Sequence, residues 1–561
     1  MNRKKILSSL FIFSSIVVNA QWSTSPTQNN PVSLASQGQE FPKAASDGSG
    51  GAIICWRDFR SQTSLDIYAQ HLSSSGNATW TPNGIPVCVV TGDQYDPNII
   101  SDGNGGAIIA WTDARGGNNY SGLYVQKIDA SGNLLWPTNG VEITMDSVVS
   151  EAPNMISDGA GGVFITWEDI RKEGGVTGDI YAQHIDASGN IKWAARGVVI
   201  CNASSDQQSP GIVSDNAGGA IIIWEDGRQP MDINVYAQRI NSAGVIQWTG
   251  NGIPVSSSAD HDRSPKAISD GNGGAIISWL DGSNSFIAAQ KINSAGEIQW
   301  NSAGLSITGN YYNYKLQLCT DGSGGAIIAW ESLSTPVSAQ RVNSTGTIEW
   351  PNPVTVSDSV FTQEKPQLVS DNDGGAIIVW QDQRNGFFNM QIMAQHLNAS
   401  GQRMWDIDGI DVSATTYDVN DYDYRQEPQI LATGSGEAIV FWSDYRNGGG
   451  QKDIYAQLLG AGAIAPAIVT SLNEISMTQL NAYPNPASNQ NTITLVLGSS
   501  STVNITLVNA LGQTESVLLQ ENLAAGNYNV NWDASKLASG LYFLQLQSNE
   551  AITVKSILIQ H

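Results

Sequence analysis

The segment Tyr417 to Arg425 reads Tyr-Asp-Val-Asn-Asp-Tyr-Asp-Tyr-Arg and gathers carboxylates and tyrosines in one short loop. Asp418, Asp421 and Asp423 could ligate Ca²⁺, a hard cation that takes oxygen donors. Tyr422 and Tyr424 could stack on a sugar, with Asp423 accepting hydrogen bonds from its hydroxyls. The plainer reading is a solvated acidic loop, and no cofactor other than Ca²⁺ is in question. His261, within Asp260-His261-Asp262-Arg263, is the histidine placed where acid–base chemistry is conceivable. It stands alone, so no catalytic residue is assigned. His71, His184 and His396 follow a repeated Gln at a place that elsewhere holds Lys, Arg or Leu, which reads as a solvent-facing position.

Six copies of Asp-x-Arg punctuate the chain: Asp58/Arg60, Asp113/Arg115, Asp169/Arg171, Asp226/Arg228, Asp382/Arg384 and Asp444/Arg446. A pair repeated this often reads as an ion pair or loop staple, because catalytic groups break a symmetry rather than obey it. Two copies have lost the Arg, at Leu280-Asp281-Gly282 and Glu331-Ser332-Leu333. Asp281 and Glu331 are therefore candidate ligand-binding residues, together with Tyr422, Asp423, Tyr424 and His261. A Gln also recurs eight times, from Gln70 to Gln457, and is expected to bond backbone inside its own repeat. There is no Gly-rich phosphate loop before a helix, no paired-His zinc motif and no nucleophile elbow.

These residues hang on a repeated unit. The phrase SDGNGGAIIAW ends at Trp111, and its relatives end at Trp56, Trp167, Trp224, Trp279, Trp330, Trp380 and Trp442, at spacings of 50 to 62 residues. Strand-like repeats of this period indicate a radial β array, chiefly a propeller. In residues 97–146, Pro97–Ser101 is expected as strand A, and Asp102 to Gly106 as a hairpin turn. Ala107–Trp111 follows as strand B, Leu123–Asp129 as strand C and Gly140–Ile143 as an outer strand D. The continuously apolar strand B implies that both of its faces are covered. A second tryptophan series runs through Trp80, Trp136, Trp193, Trp248, Trp300, Trp350 and Trp405, and repeat 8 has none. Trp22 near the start of the chain supplies it, so the N-terminus is expected to provide the last strand of the last blade and close the ring. The B–C and D–A loops then emerge on one face, where binding residues gather. The turns bear a loose similarity to the Asp-box of sialidases, but Asp102 lies too far before Trp111 for that motif, and no sialidase activity follows.

Residues 1–20 read as a signal peptide, with Arg3, Lys4 and Lys5 before the apolar run Ile6–Val18 and a small-residue site at Ala20. No later stretch is apolar enough to span a membrane. The net charge of −24 argues against a nucleic-acid partner. Four cysteines in 561 residues make no disulfide framework and read as buried thiols.

After a linker at 461–479 the character changes. Alternating strands at 492–497, 503–508, 528–532, 541–546 and 552–559 predict a small β-sandwich. The segment Tyr483-Pro484-Asn485-Pro486, the Asn509 to Gln513 turn, Gly540-Leu541-Tyr542 and Lys555 occur in order toward the chain end. In these motifs residues 480–561 resemble the type A C-terminal sorting domain of the type IX secretion system. The resemblance implies passage through an outer-membrane translocon and removal by a sortase-like peptidase, with attachment to the cell surface or release.

The expectation is an all-β chain: an eight-bladed propeller over 21–460 closed by its N-terminal strand, then the sandwich. The leading functional reading is a secreted or surface-anchored, monomeric, non-enzymatic protein that binds a glycan or protein. The alternative is a polysaccharide lyase or glycoside hydrolase that uses loop-face carboxylates.

Overall fold

The computed structural model describes residues 22–560, except 24, 27, 118–120, 145–149, 171–176, 230–231, 258–260, 283–285, 302–303, 309–312, 334–335, 385–389, 414–427, 435, 447–450, 461–478, 484–486, 488–489, 498–500, 510–513, 525 and 549–550. It divides into two compact units, 1–466 and 467–561. Every regular element among the described residues is a β-strand.

The first unit is an eight-bladed propeller, each blade a four-stranded antiparallel sheet. In blade 2, strand A is Gln94–Ser101, B is Ala107–Asp113, C is Gly122–Ile128 and D is Val141–Glu142. The hairpin between A and B follows from its sequence. Asp102 Oδ1 accepts the N–H groups of Asn104 and Gly106, both at 2.8 Å, which bends the chain back. Gly103 and Gly105 take positive φ. A Cβ on Gly106 would lie 2.2 Å from the carbonyl oxygen of Ile128, so only glycine lets strand C pass this closely.

Strand A begins earlier than the sequence suggested. Its ladder shifts between Tyr95 and Asn98, with Asp96 at φ 51° and Pro97 inside the irregularity. The bulge accommodates a proline within a strand, because no ladder hydrogen bond is required of it there. Phe41, Ser209, Ser264, Lys315 and Lys365 hold the same left-handed bulge position in their blades.

The ring closes through its first strand. Asn30–Ser33 pairs antiparallel with Asp453–Leu459, Asn30 opposite Ala456, as the outer strand of the blade whose other strands come from repeat 8. The inner strands contact their neighbours all the way round, including Gln39–Ser46 against Gln429–Ala432. The second tryptophans lie just before strand D, and all but Trp405 stack on the C–D turn of the next blade. Trp136 covers Gly189 and donates its indole N–H to Ala187 O at 3.2 Å. Trp22 does the same to Gly76 and Ser74 O, at 2.8 Å. The strand B tryptophans are buried between blades with the Ile residues beside them. All four cysteines are buried and free, and Cys55 is pushed up to about 12 by burial.

One reading is corrected. The position after the repeated Gln does not face solvent freely. His71, Lys127, His184, Arg239, Lys291, Arg341 and His396 each pair with the Asp that opens their own blade's A–B turn, at 2.8 to 3.6 Å. The side chains of these Asp residues are almost fully buried. His, Lys and Arg interchange because each supplies a cation. Blade 8 has Thr433 in place of the turn Asp and Leu458 in place of the cation, so both partners are missing together.

The second unit is a sandwich of a three-stranded and a four-stranded sheet over a shared core that includes Ile493, Leu495, Ile505, Leu507, Trp532 and Leu544. It contains two strands beyond the expected five, Gln479–Tyr483 and Thr514–Leu523.

Candidate functional site

The Asp-x-Arg motif is a staple. Asp113 accepts the indole N–H of Trp111 at 2.8 Å and holds Arg115 through Nε at 2.9 Å and Nη2 at 2.6 Å. Arg115 then donates to Asn139 O at 3.0 Å and lies 3.7 Å over the ring of Tyr124. Blades 1 and 4 repeat this set, with Arg60 over Tyr68 and Arg228 over Tyr236. In blade 7, Arg384 donates to Asp408 O at 2.9 Å, so the Asp406–Gly409 turn is part of the scaffold. The Arg thus plugs the gap between strands B, C and D at the loop face. The repeated Gln is scaffold too: Gln126 donates to Pro137 O and accepts the N–H groups of Lys127 and Trp136.

Blades 5 and 6 lack the plug twice over, because Ala288 and Ser338 also replace the tyrosine. In blade 5 Asp281 is half-buried, and the Trp279 indole N–H has no partner among the described residues. His261 comes close through its backbone: its carbonyl accepts the Gly282 N–H at 3.1 Å, while its Nδ1 lacks a partner among the described residues.

In blade 6 the missing groups leave a cleft of 610 Å³ between its B–C loop and the connection into blade 7. The walls include Glu331, Leu333, Asp358, Val360, Phe361 and Glu364. Three of these are apolar yet open to solvent: Leu333 is 72% exposed, Val360 92% and Phe361 50%. Glu331 Oε2 accepts the N–H of Lys365 at 3.0 Å, supporting the left-handed bulge of the next blade, as Glu225 supports Ser264 at 2.8 Å. Burial pushes the Glu331 carboxyl above the usual carboxylate range, and Glu364 adds to this against Lys365, Lys315 and the bulge N–H. Glu364 accepts a hydrogen bond from Gln383 at 2.8 Å, and Asp358 pairs with Arg403 at 2.7 Å. The site thus offers an apolar surface, one desolvated carboxyl and two carboxylates at its rim.

Asp418, Asp421, Tyr422, Asp423 and Tyr424 lie outside the described residues. Among the described residues no group of three or more His, Cys, Asp or Glu is placed to hold a metal ion. The structure separates Glu331 from Asp281 and His261, which belong to blade 5. Val360, Phe361 and Glu364 were not singled out in the sequence. Their signal was the pair Val360-Phe361 in a connection otherwise built of Ser, Asp and Thr.

Of the motif residues in the second unit, Tyr483 ends a strand and Tyr542 is buried in the core. Gly540 pairs with Ile559, Leu541 with Leu558 and Leu544 with Lys555. Pro484, Asn485 and Pro486 are outside the described residues. Residues 481–560 match the secretion system C-terminal sorting domain. The C-terminal unit is a type IX sorting domain. It marks the chain for secretion to the cell surface or beyond. No helix is long and apolar enough to cross a membrane among the described residues.

No curated protein matches the chain. Among solved structures, the BP39L lectin from Burkholderia pseudomallei shares 8% identity, with 67% of this chain and 99% of that chain covered and a TM-score of 0.44. A novel fungal alcohol oxidase of the AA5 family in complex with copper shares 10%, covering 82% and 95%, at 0.36. An endo-arabinase from Bacteroides thetaiotaomicron shares 9%, covering 56% and 95%, at 0.29. These likenesses are too distant to speak to what this chain binds.

Proposed function

We propose that the chain is an exported propeller that binds a glycan in the arginine-free cleft of blade 6. One observation carries the reading: exposed Phe361, Val360 and Leu333 line a cleft edged by Glu331, Glu364 and Asp358. An aromatic face takes the C–H side of a sugar ring, and carboxylates accept from its hydroxyls. Exposed apolar side chains grouped in a concave, polar-rimmed site mark binding surfaces. The cleft lies where the scaffold staple is missing, so binding there leaves the other blades undisturbed.

A glycan array with a parallel panel of extracellular proteins, run with and without Ca²⁺, tests this. Phe361→Ala should weaken the hit by about tenfold, the loss of one stacking contact. Leu333→Asp, which puts a charge on the apolar lining, should abolish binding without lowering the melting temperature. A hit unaffected by both variants would move the site elsewhere.

One observation favours the alternative, an enzyme. Glu331 is a carboxyl pushed upward by burial beside a second carboxylate, Glu364. Such a pair is suited to acid–base cleavage of a glycosidic bond. New reducing ends released by the wild type and not by Glu331→Gln would establish it.

A further inference from the structure

The charge of the blade 6 cleft is all of one sign. Its lining carries Glu331, Asp358 and Glu364 and, among the described residues, no Lys, Arg or His. Each carboxyl is only half engaged. Glu331 Oε2 accepts the Lys365 N–H, Glu364 Oε1 accepts from Gln383 and Asp358 Oδ1 accepts from Arg403. The second oxygen of each takes no hydrogen bond among the described residues. Asp358 has an ion-pair partner, Arg403, at 2.7 Å, and neither glutamate forms an ion pair with a described residue. The two glutamates meet through the backbone: Glu331 reaches within 3.0 Å of the N–H of Lys365, the residue next to Glu364, and both side chains line the same space. Burial, joined by Glu364, holds the Glu331 carboxyl above the usual range against the bulge N–H, Lys315 and Lys365, and neither lysine lines the cleft. A desolvated carboxyl beside a second carboxylate gains most from an incoming positive charge. The net charge of −24 adds to the same preference at longer range.

The remaining wall restricts what carries that charge. Phe361, Val360 and Leu333 are open to solvent, and Thr355 and Thr362 add hydroxyls. A bare cation would use the carboxyls and leave the apolar surface wet. A lysine side chain would cover that surface with a narrow methylene stem and offer the hydroxyls no partners. A hexosamine ring supplies all three at once. Its C–H face stacks on Phe361, its hydroxyls meet the threonines and its ammonium sits one bond from the stacked ring. At 610 Å³ the cleft is of the size that takes a short oligosaccharide.

Resting on the glycan reading above, we propose that the blade 6 cleft selects a glycan with free amino groups, an unacetylated hexosamine polymer whose ammonium lies between Glu331 and Glu364 with its ring on Phe361.

The test is calorimetric titration of the full chain, at about pH 6 and constant ionic strength, with three β-1,4-linked hexamers and with hexalysine. The hexamers are those of glucosamine, N-acetylglucosamine and glucose, which differ in the group at C2 alone. The glucosamine hexamer should bind about a hundredfold more tightly than the other two, the scale of two charge-assisted hydrogen bonds. Glu331→Gln and Glu364→Gln should each reduce that preference about tenfold. The first keeps an acceptor for the Lys365 N–H, so the bulge is retained. Equal binding of the three hexamers, weakened by Phe361→Ala, would overturn the amine selection and leave the cleft standing as a glycan site. Hexalysine binding as tightly as the glucosamine hexamer would overturn it in favour of a basic protein partner. A preference untouched by both glutamine variants, or no binding of the glucosamine hexamer, would overturn it as well.

Discussion

Trp111 and Asp113 are joined side chain to side chain: the indole N–H meets Oδ2 at 2.8 Å, two residues further along the same strand. Both are buried, and the same carboxylate holds Arg115. One acid thus satisfies the only polar atom of the blade's largest side chain and anchors the residue that closes the blade's loop end. Asp113→Ala should cost about 2–3 kcal/mol, because the indole N–H is stranded in the core and the guanidinium loses its partner. Chemical denaturation measures the loss, and ligand binding at the cleft should be unchanged in the folded protein.

Closure makes a second expectation. Deleting residues 21–36 removes Asn30–Ser33 from blade 8 and Trp22 from Gly76. The exposed edge of Asp453–Leu459 should then recruit other chains. Light scattering should show aggregation and calorimetry a lowered melting temperature. A monodisperse protein with unchanged melting would contradict the closed ring.

The turn pairs set the acid limit of stability. Burial alone would raise Asp47 and Asp158, but His71 and His184 together with turn N–H groups outweigh it and hold both carboxyls below the ordinary value. A carboxyl lowered by folding contributes stability above its unfolded value. That contribution is lost as pH falls through the folded value. Melting temperature should therefore fall below about pH 4, the ordinary Asp range. Asp47→Asn with Asp158→Asn keeps an acceptor in each turn. It should lower stability at neutral pH and flatten the acid decline.

Removing residues 480–561 deletes the sorting domain. The propeller should then remain in the periplasm, which cell fractionation reads directly. Recovery of the truncated chain from the surface or medium would defeat that expectation.

The blade plan was legible because its cues are local. Asp-Gly-x-Gly-Gly turns, an apolar strand and a tryptophan repeat in phase, and Trp22 fits the gap left by repeat 8. The turn Asp pairs were misread because exposure was inferred from residue type alone. Comparing the repeats would have found them, since Thr433 and Leu458 lose both partners together. The cleft was half legible. The missing arginines pointed to Glu331, but Phe361 reaches the same space from a different connection, and only the folded blades bring the two together.

The pairing of Asn30 with Ala456 has a consequence for how the molecule is made. The first strand of the propeller has no partner until the last repeat has been synthesised. A chain interrupted anywhere before repeat 8 keeps an open edge, however well its earlier blades have formed. Completion of the ring therefore reports that synthesis has passed repeat 8, and only polypeptides that have come this far continue into the sorting domain. The strands that close the ring are thus made before the export signal that follows them.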